Sequence, residues 1–267
     1  MTTSPPPSSR FELVKWYLDA VEADGSASIA YWASIAWLGV HVHWHDVTRY
    51  PLHDPLVEHS SLRRVPPPQF EGGHVAWRSA PLGFVTDHQA TAAPVTLVLL
   101  DDASGRITWE CLAPSARTRF VGDGATRIGT GYAERLTMTV PPSALPMDGL
   151  RWGRWVSDDA ASSLAWIDWL GAAPRRWILR NGTLQQPASV QEHGIDTPAG
   201  QLVLGTPRTL LDRPLGALFH GLSGPARIAA HIPVAWEEHK WCSRAEWTDA
   251  SGRRAPGWAI HELVRFG

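Results

Sequence analysis

Short runs of alternating or continuous apolar residues, broken every few positions by glycine or proline, dominate the chain. "ASIAYWASIAW", "GVHVHWHDV", "APVTLVLL", "SLAWIDWL", "RWILRN" and "QLVLGT" are each of strand length and bounded by turn residues. Helical periodicity is weak. Residues 11–22, FELVKWYLDAVE, could supply a helical turn or two, but their place before an Asp-Gly turn predicts a strand. With 23 glycines and 22 prolines among 267 residues, the spacing predicts an all-β sandwich or barrel.

Successive side chains of a strand point to opposite faces, so each run assigns its residues to two sides. In "GTGYAERLTMTV" (129–140), Tyr132, Glu134, Leu136, Met138 and Val140 share one face, and a carboxylate therefore sits on the apolar side. In "APGWAIHELVRF" (255–266), Trp258, Ile260, Glu262, Val264 and Phe266 share a face, opposite Ala259, His261, Leu263 and Arg265. In "LAWIDWLG", Asp168 lies with Trp166 and Leu170.

An internal repeat sets the organisation. "KWYLDAVEADGSASIAYW" (15–32) matches "RWGRWVSDDAASSLAWI" (151–167) with one gap, pairing Trp16 with Trp152, Asp24 with Asp159, Ser28 with Ser163, Ala30 with Ala165 and Tyr31 with Trp166. The closing stretches 129–138 and 255–266 share Gly, an aromatic and Ala, followed by an acidic residue on the aromatic's face. The expected division is a disordered Pro/Ser lead (1–10), an N-terminal β domain (11–140), a proline-rich linker (141–150) and a C-terminal β domain (151–267).

Composition narrows the function. A net charge of −2 with 19% charged residues leaves no electrostatic footprint for nucleic acid or an anionic membrane. Cys111 and Cys242 form neither a disulfide framework nor a thiolate zinc cluster, and a reducing cytoplasm is the simplest expected home. No run reaches the ~20 apolar residues needed to span a bilayer as a helix. The 15 tryptophans outnumber Phe and Tyr separately, and they supply wide apolar surfaces with a polar edge, for a broad β core or for lining a pocket.

The stretches "KWYLDAVEADGSASIAYW", "GTGYAERL", "LRWGRW", "LAWIDW" and "GWAIHELVRF" resemble the carotenoid 1,2-hydratase (hydroxyneurosporene synthase) group, whose relatives include tocopherol cyclases and fungal Diels–Alderases. The resemblance implies two tandem lipocalin-like (calycin-type) β-barrel halves with short helices, a ligand cavity at or between the barrels, and chemistry without an organic cofactor. Trp32, Trp152, Trp166 and Trp258 are the candidate substrate-lining residues.

Glu134 is the first candidate for chemistry. In an aromatic surround a carboxyl loses hydration and its pKa rises, so that it stays protonated and can donate a proton, with Tyr132 as orienter or relay. The structural alternative is a buried salt bridge to an arginine of a facing strand. Glu262 repeats the situation, or is a carboxylate at a barrel rim. Asp168 either bonds a backbone amide or an indole, or stabilises a cation or accepts a proton. His41, His43 and His45 share one strand face, where two could hold zinc with His74 or Glu71; same-face neighbours are about 7 Å apart, which strains a set of three, and a solvent-facing row is the plainer reading. For the arginines of "RWGRW", Arg151 and Arg154, stacking on indoles is expected. The glycine-rich "GDGATRIGTG" precedes a strand and is no phosphate loop, and "HGLSGPA" (220–226) has the wrong spacing for a nucleophile elbow.

The expected function is thus a cofactor-independent hydratase, cyclase or isomerase acting on an apolar, unsaturated small molecule of isoprenoid or polyketide type. In it Glu134 donates the proton, and Asp168 or Glu262 balances charge or activates water. The alternative is a lipocalin-like carrier of a hydrophobic ligand, which needs the aromatics but not the acid.

Overall fold

The computed structural model describes residues 11–214 and 237–266. The lead expected over 1–10 and the segment 220–226 lie outside the described residues. Ten strands make the first sheet: β1 (Glu12–Val21), β2 (Ala27–Trp37), β3 (Val40–Tyr50), β4 (Val57–Ser61), β5 (Gln69–Glu71), β6 (His74–Ser79), β7 (Phe84–Ala90), β8 (Val95–Asp102), β9 (Gly105–Gly122) and β10 (Ala125–Met138). Nine make the second: β11 (Gly149–Ser157), β12 (Ser163–Leu170), β13 (Arg175–Arg180), β14 (Thr183–Leu184), β15 (Ser189–Gln191), β16 (Gly194–Thr197), β17 (Gly200–Pro214), β18 (Glu237–Asp249) and β19 (Arg254–Arg265). The stretch 11–22 is strand, as its turn context predicts.

The two sheets share one topology. Their orders are β4-β3-β2-β1-β10-β9-β7-β6-β5, with β8 also on β9, and β14-β13-β12-β11-β19-β18-β17-β16-β15. Each is antiparallel and curls into a lipocalin-like half. Between them, residues 141–150 carry a 3-10 turn at Pro142–Ala144, Val140 is fully buried, and Leu145 and Met147 pack on the core.

Both faces of the central strands are buried. Trp16, Leu18, Trp32, Trp77, Phe84 and Phe120 fill the interior of the N-terminal half, while Trp155, Leu164, Trp166, Ile178 and Trp247 fill that of the C-terminal half. The opposite faces meet in a third core built from Tyr17, Trp109, Tyr132, Trp152, Ile167, Trp169 and Ile260. Burying large aromatics on both sides of one strand pair explains why the sequence spends so many tryptophans.

The register corrects the repeat. Gly129 lies against the carbonyl of Val21 and Gly257 against that of Val156, where a Cβ would come within 2.3 and 2.2 Å. These matched close approaches, with Tyr17 opposite Glu134 and Trp152 opposite Glu262, make Tyr17 the counterpart of Trp152. Trp16 points into its barrel and Trp152 toward the other half, so the pairing of those two tryptophans is off by one residue. A one-residue slip exchanges the faces, and aromatics stand on both.

Candidate functional site

Glu134 sits where the two halves meet. The β9–β10 ladder is irregular between Gly131 and Glu134, and the bulge leaves Tyr132 without a partner on β9. A Cβ at Gly131 would lie 2.2 Å from Thr118 Oγ1 and 2.3 Å from the Asp19 carbonyl, so glycine is required for the chain to pass there. Beyond it, Glu134 is 6% exposed and Tyr132 is fully buried.

Three neutral donors converge on one oxygen of Glu134. Trp109 Nε1 donates to Oε2 at 2.5 Å, the Tyr132 hydroxyl at 2.7 Å and Trp152 Nε1, from the other half, at 3.1 Å. The arginine salt bridge weighed for this carboxylate is not what forms; the adjacent Arg135 is bidentate to Glu110. Burial raises the Glu134 pKa, opposed by the Lys15 charge and by the three donors.

Around it stands an aromatic cluster from both halves. Tyr17 packs edge-on against Trp152 at 4.8 Å and against Tyr31 at 5.3 Å, and Tyr132 meets Trp152 at 5.8 Å. Beside this cluster Lys240, 1% exposed, bridges Glu262 at 2.7 Å and Glu238 at 2.8 Å, and donates to the Tyr31 hydroxyl at 2.5 Å. Burial alone would lower the Lys240 pKa, but the two carboxylates hold it well above its ordinary value.

A second buried pair locks the halves. Arg154 and Asp19 are both fully buried, with Nε to Oδ2 at 3.0 Å and Nη2 to Oδ1 at 2.5 Å, and Arg154 Nη1 also donates to the Trp258 carbonyl at 2.8 Å. The indole stacking expected for Arg154 gives way to this ion pair, because a buried guanidinium needs a counter-charge more than a ring face.

The other candidates are dispersed. Asp168 is buried on the barrel side of β12, where Arg176 Nε donates to Oδ1 at 2.8 Å and Arg151 Nη1 lies 3.6 Å from Oδ2. It is held by arginines rather than by an amide or indole, and Arg151 faces it rather than a ring. Glu262 is on the inter-half face, neutralised by Lys240. Among the four tryptophans, Trp32 points into the N-terminal barrel and bonds the Val65 carbonyl, Trp166 points into the C-terminal barrel, and Trp152 and Trp258 face the other half. Trp152 and Trp166 both line a cavity of the C-terminal half, and Trp32 and Trp258 lie outside it.

The histidine strand runs from an exposed His41 to a buried His45. His45 registers with Trp32, is 1% exposed and lies edge-on to Trp77, so it does not belong to a solvent-facing row. His41 and His43 have ring centres 4.4 Å apart, with His41 bonded to Ser34, whereas His74 pairs with Asp87. Among the described residues no group of three or more His, Cys, Asp or Glu is arranged to hold a metal ion, and no helix is long and apolar enough to cross a membrane.

Lys240 and Asp19 were not singled out by sequence reasoning, and Arg154 was read only as a partner for indole rings. Their signal was present in part: charged residues at positions whose strand neighbours are apolar, such as Asp19 between Leu18 and Ala20.

No protein-family model and no curated protein matches the sequence. By structure the chain is similar to CghA, with a TM-score of 0.60 at 9% identity over 99% of this chain and 94% of that one. It is similar to kievitone hydratase from Nectria haematococca, with a TM-score of 0.57 at 10% identity over 97% and 90% of the two chains. A structure of CghA with Sch210972 gives 0.54 at 9% identity over 100% and 94%. What these likenesses show is the fold, a tandem of curled antiparallel sheets that the chain shares along its whole described length.

Proposed function

We propose that the protein is a cofactor-independent hydratase, cyclase or isomerase of an apolar, unsaturated small molecule of isoprenoid or polyketide type, with Glu134 as the proton donor. The carrying observation is a carboxyl group buried among aromatic rings and met only by neutral hydrogen-bond donors. Burial raises the pKa of the acid and so favours its protonated form, and the same three donors stabilise the carboxylate left after the proton departs. The rings of Tyr17, Tyr132 and Trp152 offer electron-rich faces to positive charge developing on an apolar skeleton. Asp168 and Glu262 are each occupied by cationic partners, and the proposal therefore rests on Glu134 and Tyr132.

The shared fold supports this reading by analogy, since one similar protein is a kievitone hydratase and another is seen with the small molecule Sch210972. The sequence resemblance to carotenoid hydratases supports an isoprenoid substrate. The test begins with protein purified from its own cells and extracted with organic solvent. The recovered compounds are then incubated in D2O with the wild type and with Glu134→Gln. Deuterium incorporation by the wild type alone is the expected result. Identical, unaltered compounds from both proteins would make the chain a carrier.

A further inference from the structure

The C-terminal barrel contains a cavity whose lining does not include Glu134. Its volume is about 380 Å³, within the roughly 300–1,000 Å³ range of small-molecule pockets. The N-terminal barrel packs Trp32, Trp77, Phe84 and Phe120 in its interior and has its own recess of about 700 Å³ lined by Trp16, Phe70, Glu110 and Arg135; here Trp166 and Trp241 stand along the space.

The walls are built in a specific way. Trp166 lies flat over Gly153, where a Cβ would fall 2.2 Å from the indole, so β11 is kept bare to seat the ring. Trp241 stacks on His261 with centres 5.4 Å apart, and His261 Nε2 is 2.9 Å from the hydroxyl of Ser243, which is itself 1% exposed. Burial lowers the His261 pKa to about 4, so the imidazole is neutral near pH 7 and presents a hydrogen-bonding wall. The β17–β18 ladder breaks between Leu204 and Pro207, and both of these residues line the cavity.

Charge at the mouth favours an anion. Two guanidiniums, Arg176 and Arg151, share the single buried carboxylate of Asp168; Arg176 holds it at 2.8 Å, and Arg151, at 3.6 Å, keeps donors to spare. Arg265 adds a second cation to the lining, and of the two carboxylates there Glu262 is taken up by Lys240 while Glu192 stands exposed at the rim.

We propose that this cavity is a second ligand site, separate from Glu134, for a flat apolar molecule bearing a carboxylate, with its ring system between Trp166 and Trp241 and its anion on Arg151. Arg151 and His261 of this site lie on the barrel face of β11 and β19, whose opposite face carries the Glu134 cluster; Trp152, which donates to Glu134, and Glu262 also line the cavity, so the two sites share a wall.

Naphthalene-2-carboxylate and its neutral analogue naphthalene-2-methanol are suitable probes, titrated calorimetrically into the full-length wild type and Arg151→Gln. Arg151 is more than a third exposed, and Arg176 remains on Asp168, so the variant keeps its fold. Saturable binding is expected, with the carboxylate about tenfold tighter than the alcohol in the wild type and equal to it in the variant. In ¹⁵N spectra the indole signals of Trp166 and Trp241 shift, and that of Trp109 does not. Equal affinity of the two probes for the wild type, an unchanged carboxylate affinity in Arg151→Gln, or absence of saturable binding would each overturn the proposal, as would shifts confined to Trp109.

Discussion

Glu134 and Glu262 occupy the same place in the two halves and meet opposite partners, neutral donors for the first and an ammonium for the second. Each is on the strand that closes its half, each faces the other half, and each is opposite an aromatic of the opening strand, Tyr17 for the first and Trp152 for the second. The difference comes from the next strand across. Glu134 registers with Cys111 and Glu262 with Lys240. A thiol whose own pKa burial raises brings no positive charge, so the hydrogen bonds to Glu134 come from two indoles and a phenol, with the Lys15 charge acting on it without a hydrogen bond. An ammonium does bring one, and Glu262 becomes half of an ion pair. One cross-strand residue thus separates a candidate acid from a structural carboxylate.

The comparison breaks most severely if the frame holding both positions is lost. Arg154→Met leaves the Asp19 carboxylate buried and unpaired between the halves, which costs about 3–5 kcal/mol. Urea unfolding reads this directly, and a loss under about 1 kcal/mol would mean that the ion pair does not hold the halves. Next is Lys240→Met, which leaves Glu262 without its cation. The expected cost is about 3 kcal/mol near neutral pH, read from urea midpoints. A cost under about 1 kcal/mol would show that the lysine is not what neutralises this glutamate.

Smallest in stability, and sharpest for the comparison, is Glu134→Gln. Its folded pKa is raised above the ordinary value of 4.5, so the native state holds its proton more tightly than the unfolded chain does. That contribution is fully present below about 4.5 and is lost as pH rises through the folded value. Glutamine does not titrate. The variant therefore gains on the wild type as pH increases, which urea midpoints at about pH 4 and about pH 8 will show; a constant difference would place Glu134 among ordinary carboxylates.

Much of this was legible from alternation alone. The strand faces that put Tyr132 beside Glu134 and Trp258 beside Glu262 follow from a period of two, and the structure keeps them. The repeat was visible but slipped by one residue, because strands buried on both sides carry aromatics on both faces and so lose the polar marker that would fix the register. For the same reason His45, polar by composition, was read outward and stands buried against Trp77.

What the chain by itself determined was the all-β class, the two-half organisation and the misplaced carboxylate on an apolar strand face, since each depends on local periodicity and turn chemistry. What only the tertiary structure decided was the company that carboxylate keeps. Trp109 and Trp152 reach Glu134 from 25 and 18 residues away, and Lys240 reaches Tyr31 across 209. Such pairings are set by how two curled sheets pack, and a pKa answers to the neighbours in space, whatever their distance along the chain.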